Sequence, residues 1–270
     1  MQKITDNVYV QLGVGACNHS FVVTSDGVVA IDTPVSTSAS REWAKEIAKH
    51  GPLRYLINGE GHPDHIAGNC YLGGILIAHE GARKAILETD IKTITDMQQR
   101  AAPGAPRDPD FKLRPPDITL SDRLTIYLGK HTFHLYALPG HSPNQVSVYV
   151  PEEKVIFTSD NVVTSMPFFR EAVAYEWIQS LEFIDKLDFN KVVVGHGEVQ
   201  DKSYVRQMIN KLQAWINAVT DAMNNGMTLE ETQKKIAASG EFAAYAKNSA
   251  IPGMFNTSVA GLYNYLKKKK

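Results

Sequence analysis

Short β-branched and aromatic runs, separated by glycine-bearing turns, open the chain: Val8-Tyr9-Val10, Phe21-Val22-Val23 and Val28-Val29-Ala30-Ile31. Such runs predict strands. Apolar spacing then shifts to a helical period over residues 38–50, and the strand Tyr55-Leu56-Ile57 follows. A second helix-then-strand step reaches Ile75-Leu76-Ile77-Ala78 and continues into a helix over residues 81–88. Between Thr89 and Asp117 the periodicity fails, and five of the thirteen prolines fall there. An irregular stretch of this kind inside a compact domain reads either as a lid or as a disordered insertion. Four more strands are expected over residues 118–157, among them Leu124-Thr125-Ile126-Tyr127 and Val146-Ser147-Val148-Tyr149. A helix over residues 175–187 then leads into the fully apolar strand Val192-Val193-Val194.

A strand-rich block closed by helices thus occurs twice. The expected fold class is α/β, a four-layer αβ/βα sandwich of two mixed β-sheets with outer helices. Residues 1–200 form this domain, with residues 89–117 as its proline-rich insertion, and residues 201–270 form a helical C-terminal extension packed on it. In that extension Tyr204, Met208, Leu212, Trp215, Val219 and Met223 recur at three- and four-residue steps. Asn225-Gly226 stops the helix, and Thr228 with Glu231 forms a capping box for the next one. The apolar stripe reads as packing against the sandwich, with a homodimer contact or a substrate cover as the alternative. The run Lys267 to Lys270 reads as a solvated end.

Composition narrows the class. Of the 270 residues 43% are hydrophobic and 21% charged, enough for a buried core and unlike a disordered chain. Lys+Arg total 28 against Asp+Glu 29, a net charge of −1, so no nucleic-acid or anionic-membrane partner is expected. The two cysteines, Cys17 and Cys70, exclude a disulfide scaffold and a thiolate-rich zinc site. No apolar run approaches the roughly 20 residues of a membrane span. The first residues lack the apolar stretch of a secretory signal, which gives a soluble, cytoplasmic expectation.

The chemistry concentrates in Asn58-Gly59-Glu60-Gly61-His62-Pro63-Asp64-His65, directly after a strand. Pro63 biases His62 toward an extended conformation. In an extended segment residues two apart share a side, so Glu60, His62 and Asp64 can converge while His65 points elsewhere. Two imidazoles and two carboxylates within six residues are the donors of a metal site rather than of ordinary packing. Asp160, His141 and His196 stand after other strands, and ligands on several strand ends of a rigid sheet are how a fold assembles such a site.

These residues carry a family resemblance. The chain resembles the metallo-β-lactamase superfamily, whose hallmark is His-x-His-x-Asp-His followed by a lone His, a bridging Asp and a final His. Matching elements run over residues 5–200: Asp32 ending the third strand, Pro63-Asp64-His65 with Gly68-Asn69, Pro139-Gly140-His141-Ser142, Ser159-Asp160-Asn161 and Gly195-His196-Gly197. The resemblance implies one metal position held by Glu60, His62 and His141 and a second held by Asp64, His65 and His196, with Asp160 bridging. It departs at two places. Glu60 stands where the family usually has its first histidine, and Gly59 replaces the usual hydroxyl residue.

The exchange at position 60 has an electrostatic consequence. Two divalent ions with Asp64, Asp160 and a shared hydroxide keep one net positive charge when residue 60 is a neutral His, and none when it is ionised Glu60. A less positive pair is a weaker Lewis acid. A carboxylate is also a harder ligand, which shifts preference from zinc toward iron or manganese. The implied function is a metal-dependent hydrolase of a small ester, lactone, amide or thioester, with Asp64 and Asp160 orienting the nucleophile and moving protons. Asp160 argues against a dedicated β-lactamase, where Cys or Ser is usual, and favours the glyoxalase-II and lactonase branches. The alternatives are a non-haem iron or manganese enzyme doing oxygen or redox chemistry, and a metal-poor ligand-binding protein.

Other histidines and aromatics have plainer readings. His131 and His134, three apart on a strand, face opposite ways. His79 ends a strand near the metal side and is a candidate to support a ligand. Cys17-Asn18-His19 reads either as a loop facing substrate or as an ordinary turn, and Met166, Pro167, Phe168 and Phe169 as a substrate wall or as core. Gly13-x-Gly15 lacks the third glycine of a dinucleotide fingerprint, and Ser142 sits in no Gly-x-Ser-x-Gly elbow.

Overall fold

The computed structural model describes residues 1–13, 16–240, 242–248 and 253–269. Gly15 and Lys270 lie outside them. The chain forms two compact units, the first made of Met1–Leu138, Asn144–Thr164 and Asp188–Lys202. The second is made of Pro139–Pro143, Ser165–Leu187 and Ser203–Lys270.

Two mixed sheets build the first unit. The seven strands β1 (Gln2–Lys3), β2 (Val8–Gln11), β3 (His19–Thr24), β4 (Gly27–Ile31), β5 (Leu53–Ile57), β6 (Ile75–His79) and β7 (Ile118–Leu120) lie side by side in sequence order. The first four pair antiparallel as hairpins, and β4 to β7 pair parallel because helical segments intervene. The second sheet holds β8 (Arg123–Leu128), β9 (His131–Ala137), β10 (Val146–Val150), β11 (Val155–Val163), β12 (Lys191–His196) and β13 (Gln200–Asp201), in the order β13-β12-β11-β10-β9-β8. Only β11 and β12 run parallel there. One face of each sheet meets the other in a core that includes Val22, Val29, Ile57 and Ile77 from the first and Phe133, Val148, Phe157 and Val193 from the second. Period-two alternation supplies these inward positions: along β9 Phe133 and Leu135 are buried while their neighbours are half-buried.

Helices cover the other face of the first sheet. Helix α1 (Thr37–Ala48) starts at Ser36, whose hydroxyl accepts from the Ala39 N–H, and packs Trp43 and Ile47 against Phe21, Ala30 and Leu56. Helix α2 (Pro63–Ile66) is a single turn, and α3 (Glu80–Glu88) follows β6. Helix α4 (Ile91–Ala101) corrects the sequence reading, in which residues 89–117 had no regular structure. Its Ile94 is fully buried with Val35, Ile66, Ile86 and Phe111. Beyond α4 the stretch is tied down: Arg114 donates to the carbonyls of Leu72 and Gly74, and the Asp117 carboxylate accepts from the Leu76 N–H. These bonds tie its end to the start of β6.

The second unit is helical: α5 (Ala174–Asp185), α6 (Ser203–Asn224), α7 (Leu229–Ala237), α8 (Phe242–Lys247) and α9 (Met254–Lys269). The stripe of α6 is buried through Val205, Met208, Leu212, Trp215, Ile216, Val219 and Ala222. Trp215 meets Phe169, Phe242 and Phe255, so this stripe and Phe169 are core of this unit. The capping box of Thr228 and Glu231 opens α7 as expected. No helix among the described residues is long and apolar enough to cross a membrane.

Candidate metal centre

The local geometry begins with proline. Pro63 occupies the first turn of α2 and leaves His62 extended at φ −69°, ψ 147°, as the sequence requires. From Pro63 onward the side-chain period is helical, and this changes where the next residues point. Asp64 groups with His65 and His196, and His65 turns inward instead of elsewhere. The carbonyl of His65 accepts from the Thr33 N–H, the Thr33 hydroxyl and the Asn58 amide, which holds the short helix in place.

Six of the seven sequence candidates converge in the first unit. Glu60 and His65 are fully buried and Asp160 is nearly so. Glu60 Oε2 contacts His62 Nδ1. His65 Nε2 stands 3.4 Å from Glu60 Oε1, 3.4 Å from Asp160 Oδ1 and 3.7 Å from Asp64 Oδ2. His196 Nε2 lies 3.2 Å from Asp64 Oδ2 and 3.4 Å from Asp160 Oδ1. His141 belongs to the second unit, where its Nδ1 donates to the Phe168 carbonyl at 2.9 Å and its ring meets Trp177. Its loop is held there by the Val173 N–H on the Gly140 carbonyl and the Ser180 hydroxyl on the Pro139 carbonyl.

Asp160 is placed by an irregular strand. Strand β11 runs on past it to Val163, and its register to β12 shifts between Phe157 and Ser159. Ser159 takes φ +46°, rare for a residue with a side chain, and the bulge re-aims the next side chain. Gly195 makes room for it, since a Cβ there would stand 1.9 Å from Asp160 Oδ1.

Two buried groups outside the expected ligand set orient this cluster. Asp32, at φ +55° after β4, accepts from the Gly59 N–H at 2.7 Å and from His65 Nδ1 at 3.0 Å. The Ser159 hydroxyl donates to Asp32 Oδ2 at 3.2 Å and lies 3.4 Å from Glu60 Oε1. A backbone group does the same for the other ring: His196 Nδ1 donates to the Ala16 carbonyl at 3.0 Å. Once a ring is deprotonated, these Nδ1 bonds leave the lone pair of His65 and of His196 on Nε2, the nitrogen facing the carboxylates.

The surrounding candidates sort as structure. Asn18 donates to the carbonyls of Val194 and Gly197 and so holds the end of β12 beside His196. Cys17 is a buried thiol on the Asp64 carbonyl, and burial pushes it up to about 11. His19 is buried edge-on to Trp43, and burial lowers it to about 4. His79 Nδ1 accepts from the Gly81 N–H and caps the start of α3.

Burial works against charge throughout the cluster, and mutual attraction outweighs it. Ionised Glu60 is disfavoured by burial, yet His62 and His65 hold its carboxyl below the usual range. Asp64, half-buried and also opposed by desolvation, is brought down to about 2 by His65 and His196. Asp160 lies well below the ordinary carboxylate value through His196 and His65, again against burial. Burial opposes a charged His65, but Cys17, Glu60, Asp32 and Asp64 raise it well above normal. His196 rises to about 11 because Asp160 and Asp64 outweigh its burial. The carboxylates demand cations, and protons on imidazoles meet that demand.

The donors fit divalent ions. Two ligands each about 2.0–2.1 Å from a tetrahedral ion lie about 3.3 Å apart. Four of the five separations around His65 and His196, at 3.2 to 3.4 Å, have that size, the fifth, His65 to Asp64, is 3.7 Å, and His65 Nε2 is buried without a hydrogen bond. Two triads of donor atoms within this unit are compact enough for a single ion: Asp64, His65 and His196, and Glu60, His65 and Asp160.

The family model of the metallo-β-lactamase superfamily matches residues 12–196. A type 2 metallo-β-lactamase from Elizabethkingia meningoseptica is 25% identical over 232 residues, covering 80% of this chain and 85% of that protein. A metallo-β-lactamase family protein from Thermus thermophilus superposes with a TM-score of 0.69 at 17% identity, over 99% of this chain and 95% of that one. A stereoselective inverting sec-alkylsulfatase from Pseudomonas sp. superposes with a TM-score of 0.76 at 16% identity, over 97% of this chain but only 49% of the sulfatase. The two superpositions establish the fold.

Proposed function

The chain belongs to the metallo-β-lactamase superfamily, and on that premise we propose that it is a metal-dependent hydrolase of a small ester, lactone, amide or thioester. Two divalent ions, zinc, iron or manganese, are its cofactors. Glu60, His62 and His141 hold one, Asp64, His65 and His196 hold the other, and Asp160 lies between them. His141 enters this set by its place in the family pattern.

Ions bound there supply Lewis acidity and an acidified water. The remaining work falls to the chain. Asp32 and the Ala16 carbonyl orient His65 and His196 through Nδ1. Asp64 Oδ2 and Asp160 Oδ1, both beside His196, orient the attacking water, accept its proton and return it to the leaving group. The observation that carries this reading is the buried convergence of three carboxylates on His65 Nε2.

The test is a panel of simple esters, lactones, thioesters and β-lactams, assayed before and after chelation. Turnover that disappears with the metal and returns on adding zinc, iron or manganese is expected. Undiminished turnover by protein shown to be metal-free contradicts the proposal.

A further inference from the structure

In the sequence pattern Glu60 substitutes for one histidine at one metal position. Its two oxygens do not behave as one ligand. Oε2 contacts His62 Nδ1, a donor of the first position. Oε1 stands 3.4 Å from His65 Nε2, a donor of the second, and shares a compact triad with His65 and Asp160. The Ser159 hydroxyl donates to Oε1 at 3.4 Å. Glu60 is fully buried, so bulk water does not satisfy this carboxylate.

We propose that Glu60 bridges the two metal positions, one oxygen on each, beside Asp160. A neutral histidine has one lone-pair nitrogen and serves one ion, whereas a carboxylate offers two oxygens and about four lone-pair directions. Paired ions in hydrolytic centres lie about 3.5–4 Å apart, a span that a carboxylate closes with one oxygen on each ion. A centre with two bridging carboxylates is richer in hard oxygen donors at both positions. It therefore selects manganese or iron over zinc relative to the same site with histidine at position 60. The inference rests on the two-ion site proposed above, but not on the reaction assigned to it.

Binding isotherms and a diffraction experiment test it together. Metal-free wild type, Glu60→Gln and Glu60→His are titrated with manganese(II) and with zinc(II), and thermal unfolding of each metal-free variant checks the fold. Glu60→Gln keeps the shape and removes the charge. If Glu60 bridges, it weakens both ions by about tenfold or more, the scale of losing a metal-site interaction. Glu60→His raises the zinc-to-manganese affinity ratio by at least about tenfold. Weakening of only one ion by Glu60→Gln overturns the bridge. Should the variants not fold, anomalous diffraction from manganese-loaded wild-type crystals decides: one Glu60 oxygen on each ion supports the bridge, and both on one ion refute it. Two bound ions bridged by Glu60 with no hydrolysis of the panel would sink the hydrolase reading alone. Turnover by a two-ion protein whose Glu60 binds a single ion would sink the bridge alone, and fewer than two ions bound would sink both.

Discussion

Position 59 and position 159 share one volume. A Cβ on Gly59 would stand 2.5 Å from the Ser159 Cβ and 2.8 Å from its hydroxyl, so only one of the two can carry a side chain without displacement. The hydroxyl absent at position 59 is supplied from β11 by Ser159, which reaches Asp32 and the region of His65 Nδ1. Ser159→Ala therefore loses about 1–2 kcal/mol of unfolding free energy in metal-free protein, the scale of a buried hydrogen bond to a charged or polar partner. Gly59→Ser alone is more damaging, and combining it with Ser159→Gly recovers part of the loss. Denaturant unfolding of wild type, Gly59→Ser, Ser159→Gly and the double variant gives the coupling, expected above about 1 kcal/mol. Strict additivity would show that the two positions do not exchange roles. The pairing is not legible in the sequence, since 127 positions separate Asp32 from Ser159 and only the two packed sheets join them. The candidate site residues are legible because four of them lie within six positions, although His65 is misdirected where the period changes from two to 3.6 at Pro63.

At the scale of elements, the strands and most helices follow from apolar periodicity, and α4 does not. The five prolines of residues 89–117 draw the whole stretch into one irregular class, yet all five come after Ala102. The preceding residues carry an ordinary helix signature: Asp90 caps the Lys92 N–H at 2.9 Å, and Ile94 and Gln98 lie four apart on the buried side. Ile94→Ala should cost about 2–4 kcal/mol as a cavity in a packed cluster, measured by urea unfolding, with metal stoichiometry unchanged. An unchanged midpoint would mean that α4 contributes no core. Strand β11 shows the complementary failure: its hydrophobic pattern ends at Phe157, while backbone pairing continues to Val163 through an irregularity that only the partner strand specifies.

Taken whole, the chain is nearly neutral, and its charge is organised locally, with carboxylates and imidazoles gathered at one buried cluster. The family and the two-sheet fold are legible from motif order, because ligands at strand ends are a property of the whole sandwich. The metal requirement is the central claim. In metal-free protein His65 and His196 are held in the protonated form, His196 with its value raised to about 11. A ring must give up its Nε2 proton to bind an ion, so binding near neutral pH releases protons and tightens as pH rises. Calorimetric titration of chelated, folded protein with manganese(II) or zinc(II), in two buffers of different ionisation enthalpy, measures ion stoichiometry and proton release together. Two ions per chain with protons released to the buffer is the predicted result. Folded protein that binds no ion, or binds ions without releasing protons, would contradict it.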